Sequence, residues 1–339
     1  FLVSEFRHVT GATTFGYLEL RRLVLPPATQ TWLFLAFALS FAIKVPLWPL
    51  HSWLPDAHTE APTAGSVVLA SVLLKMGTYG FLRFAMPLFP HASHSMGPTI
   101  AILAIVGIVF GSLVAWMQKD VKRLVAYSSV AHLGFCVLGL LALENRAVSG
   151  SVYQMLNHGV STGMLFLLVG VLYERRHTRL ISEFGGIAKV MPAFAALFVI
   201  VTLSSIGLPT TNGFVGEFLI LWGTYQSQVL PHARWMTAAA STGVVLGAVY
   251  MLSVVLRVFF GNLKNPKNRD LADLGAREWA YLLPGIVLIF VMGLFPTPFL
   301  SRIEPSVELM RMDYLKKASR AEKTDRATVE APLSWLLAP

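Results

Sequence analysis

Apolar and polar positions in this chain fall into long blocks. Between Thr31 and Pro90, two apolar segments, TWLFLAFALSFAIKVPLWPL and SVVLASVLLKMGTYGFLRF, each carry one lysine, Lys44 and Lys75. Pro46 and Pro49 break the first helix just past Lys44, because proline has no N–H to give to a helix. A turn, HSWLPDAHTEAPTAG, leads into the second. Thr99 to Gln118 is 20 residues without a charge, long enough at about 1.5 Å per residue to cross a bilayer's hydrocarbon. Leu124–Leu143 holds only His132 as an ionisable group, and Ala147–Tyr173 only His158. Val190–Gly216 is uncharged and interrupted at GLPTTNG, after which Glu217 precedes FLILWGTYQ. That run is too long for one straight helix, so Pro209, Gly207 and Gly213 place a break at membrane depth. Trp235–Leu256 and Trp279–Ser301 complete the set, the last opening on Trp279 and Tyr281 as interfacial anchors. The pattern predicts an all-α polytopic membrane protein with about eight transmembrane helices, two of them discontinuous.

Composition agrees with the pattern. Hydrophobic residues make up 55% and charged residues 13%, against about 25% charged in soluble domains. The net charge of +9 is no sign of nucleic-acid binding, because the basic residues cluster in short loops. Segments 118–123, 174–189 and 257–277 carry three, four and five Lys/Arg, whereas 83–98, 144–147 and 226–236 carry one each. The positive-inside rule places the first set on the cytoplasmic side and the basic tail outside. The single cysteine, Cys136, excludes internal disulfides, a cysteine-ligated iron–sulfur cluster and a zinc cluster.

Broken helices at corresponding places in two halves mark inverted-repeat transporters, with ions handled near the breaks. The expected organisation is a polar or interfacial lead-in (1–30), the last two helices of a first repeat (31–90) and a second repeat (97–260). A loop with a final transmembrane helix (261–301) and an amphipathic or disordered tail (302–339) follow. The opening FLVSEFRHVTGATTFGYLELRRL has neither an initiator Met nor a signal-like apolar run. The chain is therefore expected to begin partway through a longer protein.

Lys44, Lys75, His132, His158, Glu217 and Asp56 are the ionisable groups within or near the spans. Each alone has a bland reading. A histidine in an apolar helix is commonly a hydrogen-bonded packing residue, Glu217 is a suitable partner for a buried lysine, and Asp56 after a proline suits a turn or cap. Together they point elsewhere, since intramembrane charge costs roughly 2.5–3.5 kcal/mol per group on insertion scales and marks ion or proton paths. Imidazoles are natural intermediates in such a path. There is no GxxxxGK[ST], GxGxxG or HExxH, so nucleotide and metalloprotease chemistry is not indicated. His132 and His158 would supply a single haem at most.

The stretch KVPLWPLHSWLPDAHTEAPTAGSVVLASVLLKMGTYGFLRFAMPLFP, with KDVKRLVAYSSVAHLGF, LNHGVSTGMLFLLVGVLYERRHTR and LPTTNGFVGEFLILWG, resembles the antiporter-like chain M family of respiratory complex I, the counterpart of mitochondrial subunit 4. The resemblance runs from about residue 30 to 300. It implies an antiporter-like inverted-repeat bundle that translocates protons while electron transfer from NADH to quinone proceeds elsewhere. Lys75 in LLKMG then looks like the central lysine, Lys44 in AIKVP like the lysine of the first broken helix, His132 and His158 like relay histidines, and Glu217 in FVGEF like the glutamate of the second broken helix. The resemblance also implies missing upstream helices, including a glutamate that pairs with the lysine at the Lys44 position. No cofactor is expected in this chain; NADH, FMN, iron–sulfur clusters and quinone belong to partner subunits. Expected partners are other complex I membrane subunits, including neighbouring antiporter-like chains, in a bacterial inner membrane. The alternatives are a subunit of a related cation/proton antiporter or membrane-bound hydrogenase, and a structural scaffold whose charges only pair with one another.

Overall fold

A computed structural model describes residues 1–263 and 265–329, and the described residues are mostly helical, with no strand among them. Two short helices, α1 (Leu2–Thr10) and α2 (Tyr17–Leu20), form the lead-in. The bundle comprises α3 (Pro27–Lys44), α4 (Trp53–Glu60), α5 (Thr63–Leu88), α6 (Pro90–Trp116), α7 (Val121–Leu141) and α8 (Asn145–Arg176). It continues through α9 (Pro192–Ser205), α10 (Asn212–Tyr225), α11 (Ala233–Phe259) and α12 (Ala276–Leu294), and ends in α13 (Thr297–Val329). Among the described residues six helices, α5 to α8, α11 and α12, are long and apolar enough to cross a membrane. The other two expected spans are built from shorter pieces: the 18-residue α3, and α9 followed by α10.

Local chemistry sets the helix ends. Asp120 caps α7 by accepting from the backbone N–H groups of Lys122 and Arg123 at 2.7 and 3.0 Å, and Glu144 caps α8 in the same way from Arg146 and Ala147. Both carboxylates satisfy N–H groups that a helix start leaves unbonded. The first span is shorter than expected. It stops at Lys44 rather than near residue 50, because Pro46 cannot continue the ladder, and the chain resumes as α4 at Trp53. The last span also ends early, at Leu294 rather than Ser301, since Pro296 has no N–H and Thr297 starts a new helix. The tail is thus helical to Val329; its residues 330–339 lie outside the described ones.

α7 is the centre. Nearly every one of its side chains is buried. α6 and α8 pack along it, α11 backs α6, and α10 and α12 cover α8. The three basic loops meet at one end, where Ile181 donates to the Lys119 carbonyl and Gly186 to that of Phe260. Arg175 there grips Glu278 through two bonds of 2.6 and 2.7 Å. Asp56 belongs to the same end, in the first turn of α4, paired with Arg123 at 3.0 Å and largely exposed; it is a surface ion-pair residue. At the opposite end α13 lies across the bundle. Arg311 donates to the Leu143 carbonyl, Tyr314 to that of Pro90, and Lys317 to that of Arg21. Burial pushes the Asp313 carboxyl up, but a hydrogen bond from Arg21 and the charges of Lys317 and Arg21 outweigh it and hold it below the usual aspartate range.

Candidate functional site

Four of the five singled-out intramembrane residues converge on the α7–α8 core. Lys75, on α5, places its ammonium 2.6 Å from His158 Nδ1 on α8. The His158 and His132 rings lie edge to face with centroids 5.7 Å apart. His132, on α7, contacts Glu217 of α10 through Nδ1 and Oε1 at 2.9 Å. Lys75, His158, His132 and Glu217 therefore form one continuous chain of titratable groups. The two histidines and the glutamate are buried, with 3% exposure for His158, 7% for His132 and 5% for Glu217.

Lys75 reaches this position through an irregular helix. α5 relaxes into π-helical turns at Leu69–Leu73 and Phe81–Ala85, on either side of the lysine. Within the first, the Leu74 N–H bonds five residues back, to the Leu69 carbonyl, at 3.2 Å. The widened turn turns the Ala70 carbonyl to the Lys75 ammonium, which donates to it. π-Bulges of this kind concentrate at functional sites. Gly77 brings the same helix against the end of α3: a Cβ there would sit 2.8 Å from the Val45 nitrogen and 2.9 Å from the Phe41 carbonyl oxygen.

The break between α9 and α10 supports the other end. Asn212, the first residue of α10, accepts from Ser204 Oγ at 2.5 Å through its side chain, and Asn157 of α8 donates to its carbonyl at 2.8 Å. Gln154, one turn before His158, donates to Glu217 Oε1 at 3.1 Å, and its own oxygen accepts from Asn157 at 3.1 Å. Glu217 is thus held by a histidine and an amide. The lysine partner that a purely structural role would give it is absent among the described residues. Gly216 permits this approach: a Cβ at that position would overlap Gln154 Oε1 and lie 2.8 Å from Asn157 Nδ2.

Two polar voids border the chain. One, of about 10 Å³, is lined by His132, Gln154, Asn157, His158 and four hydroxyl residues of α8 and α9, Ser161, Thr162, Ser204 and Ser205. A second of about 10 Å³ lies on the far side of Glu217, against Ser205 and Tyr250. Each is the size that admits about one water molecule. His158 Nε2 has no protein hydrogen-bond partner among the described residues, while Ser205 Oγ lies 3.5 Å from His132 Nε2.

Lys44 stands apart. It is the last residue of α3, partly exposed, and lines an open cavity of about 430 Å³ with Phe41, Trp53 and Met76. The structure brings the other four into contact and leaves Lys44 beside the lysine helix. Gln154 and Asn157 went unselected in the sequence, although Gln154, Asn157, His158 and Ser161 form an i, i+3, i+4, i+7 polar stripe in an apolar span, which is the helical signature of one face. His58 also went unselected; it is fully buried and stacked on Phe166 with centroids 4.5 Å apart.

The family described as NADH:quinone oxidoreductase/Mrp antiporter, TM, matches residues 3–247. NADH-quinone oxidoreductase subunit M of Rhodobacter capsulatus is 48% identical over 290 residues, which cover 86% of this chain and 56% of that protein. NADH-ubiquinone oxidoreductase chain 4 of Marchantia polymorpha is 45% identical over 278 residues, covering 82% and 55%. A chain in the structure of respiratory complex I from Thermus thermophilus with bound NADH superimposes with a TM-score of 0.85 at 35% identity, over 92% of this chain and 65% of that one. The chain spans a little over half the length of the curated relatives it matches.

Proposed function

Because the chain belongs to the NADH:quinone oxidoreductase/Mrp antiporter family of membrane subunits, we propose that it translocates protons as a membrane subunit of an NADH:quinone oxidoreductase, along Lys75, His158, His132 and Glu217. The observation that carries this reading is the unbroken series of titratable contacts: 2.6 Å from lysine to the first histidine, 5.7 Å between the imidazole centres and 2.9 Å from the second histidine to the carboxylate.

Each step follows from donor and acceptor roles. An ammonium at Lys75 donates to His158 Nδ1, which fixes the neutral imidazole with its proton on Nε2. When Lys75 passes a proton to Nδ1, His158 releases the Nε2 proton into the polar void between the rings. His132 takes it at Nε2 and passes its Nδ1 proton to the Glu217 carboxylate. One proton has then left the lysine and one has reached the glutamate.

Charge exclusion makes such a series directional. Two unit positive charges about 4 Å apart repel by roughly 4 kcal/mol at an effective dielectric constant of about 20, nearly a thousandfold in population. Lys75 and His158 therefore do not hold excess protons together. Any charge moved near Lys44 acts on Lys75 through the close α3–α5 contact at Gly77. In this reading Lys44 is the input of the relay, and electron transfer in partner chains, which hold NADH, FMN, iron–sulfur clusters and quinone, drives that charge movement. The partners are other membrane subunits of the complex, among them neighbouring antiporter-like chains, and the setting is a bacterial inner membrane.

The test is Glu217→Gln in the full-length protein within its complex, reconstituted in vesicles. The amide keeps the Gln154 contact and the shape but cannot take up a proton. Loss of proton uptake from an assembled complex supports the relay. Normal uptake with poor assembly favours a scaffold in which the charges only pair.

A further inference from the structure

We propose that the end of the bundle crossed by α13 holds a binding site for an anionic phospholipid, with its phosphate between Arg83 and Arg302. The inference is independent of the proton relay and rests on a separate cavity of about 260 Å³ between the lead-in, the end of α5 and the first turns of α13. Three arginines line it: Arg21, Arg83 and Arg302. Arg21 is taken up by the Asp313 carboxylate. Arg83 and Arg302 are exposed, and neither has a carboxylate within 4 Å among the described residues. The nearest acidic residues on α13, Glu304 and Glu308, do not line the cavity, whose α13 contribution is the stripe from Arg302 and Ile303 through Ser306 and Val307 to Met310. Two guanidiniums without carboxylate partners on the wall of one cavity match the charge and hydrogen-bonding needs of a phosphate diester.

The remainder of the wall is the wrong surface for a free anion and the right one for a lipid. Leu82, Val152, Ile303 and Met310 supply apolar wall, while Tyr17 and Tyr79 stand beside the arginines. The Arg83 guanidinium lies over the Tyr17 ring at 4.6 Å from its centroid, and the Tyr17 hydroxyl donates to the Arg83 carbonyl. That stack holds one guanidinium at the end of an apolar span, at the level where tyrosines and arginines meet lipid headgroups. The site also accounts for a departure in the charge pattern. Loops at this end of the bundle hold one Lys/Arg each, yet three arginines from distant parts of the chain gather here.

The experiment uses the full-length protein in its purified complex and photoreactive phosphatidylglycerol, with photoreactive phosphatidylcholine of the same acyl chains as control. Phosphatidylglycerol is expected to crosslink to peptides containing Tyr79–Leu88 and Thr297–Met310, well above phosphatidylcholine. Replacing both arginines (Arg83→Gln with Arg302→Gln) lowers that yield about 25-fold, at roughly fivefold per arginine. Arg302→Gln alone, which leaves the Arg83–Tyr17 stack in place, lowers the yield about fivefold and decides the matter where the double variant fails to assemble. Equal labelling by both lipids, or unchanged yield in the glutamine variant, overturns the proposal. So does loss of labelling in excess inorganic phosphate, which identifies a free-anion site.

Discussion

His158→Leu removes the middle of the proposed relay and keeps a side chain of similar size in its place. The imidazole lies between the Lys75 ammonium, 2.6 Å from its Nδ1, and the His132 ring, 5.7 Å away between centroids. Without it the one hydrogen-bond acceptor left to the ammonium among the described residues is the Ala70 carbonyl. The void beside His158 admits about one water, and leucine offers that water no polar partner. A positioned acid–base group is worth about 10²- to 10⁴-fold, so proton translocation through this chain is expected to fall at least about 100-fold. Stability changes far less. His158 Nε2 has no protein partner among the described residues, so the substitution deletes one hydrogen bond to a charged donor, about 1.5–3 kcal/mol, and leucine returns part of that as apolar contact. The assay is proton uptake per NADH oxidised in vesicles, with assembly followed on native gels. Uptake within twofold of wild type in an assembled His158→Leu complex would refute the relay path.

Two further outcomes test the supporting architecture. Gly216→Val drives a side chain into Gln154 and Asn157, an overpacking that costs about 1–3 kcal/mol or more. A lower melting temperature and lost proton uptake are expected together, whereas Gly97→Ala, at a helical glycine where a Cβ meets only Leu141 Cδ2 at 3.8 Å, leaves proton uptake unchanged. Asp313 is held below the usual aspartate range against the raising effect of burial, so its contribution to α13 docking is fully present above about pH 4 and fades as pH falls through the lowered value. Hydrogen exchange in residues 297–318 is expected to be flat from pH 5 to 8 after correction for intrinsic rates and to accelerate below about pH 4; Asp313→Asn removes that acid step.

The residues that the structure gathers into the Lys75–Glu217 series were legible because each stands out in an otherwise uncharged run. Lys75 in SVVLASVLLKMG and Glu217 after GLPTTNGFVG are charges that are costly at membrane depth, and His132 and His158 are the sole histidines of α7 and α8 before the terminal His177. The helix breaks were legible for the same kind of local reason, since Pro46 and Pro209 cannot be hidden. The π-turns around Lys75 were not legible, because the surrounding apolar residues read as a regular helix and the distortion depends on where the ammonium finds the Ala70 carbonyl. Nor was the burial of Lys122, which reads as a loop lysine but is 6% exposed and donates to the Ala61 carbonyl at 2.5 Å. The last span ends seven residues short of the expected Ser301 because FPTPFLS carries no charge to mark the boundary, which is set by Pro296 lacking an N–H.

The most direct test of the central claim is proton translocation by the full-length complex carrying Lys75→Ala, beside wild type, in sealed vesicles. The account expects an assembled complex in which NADH oxidation and proton uptake both collapse, because the first donor of the chain is gone. Unchanged pumping from an assembled Lys75→Ala complex would contradict it, and would leave Lys75 as a hydrogen-bonded structural residue.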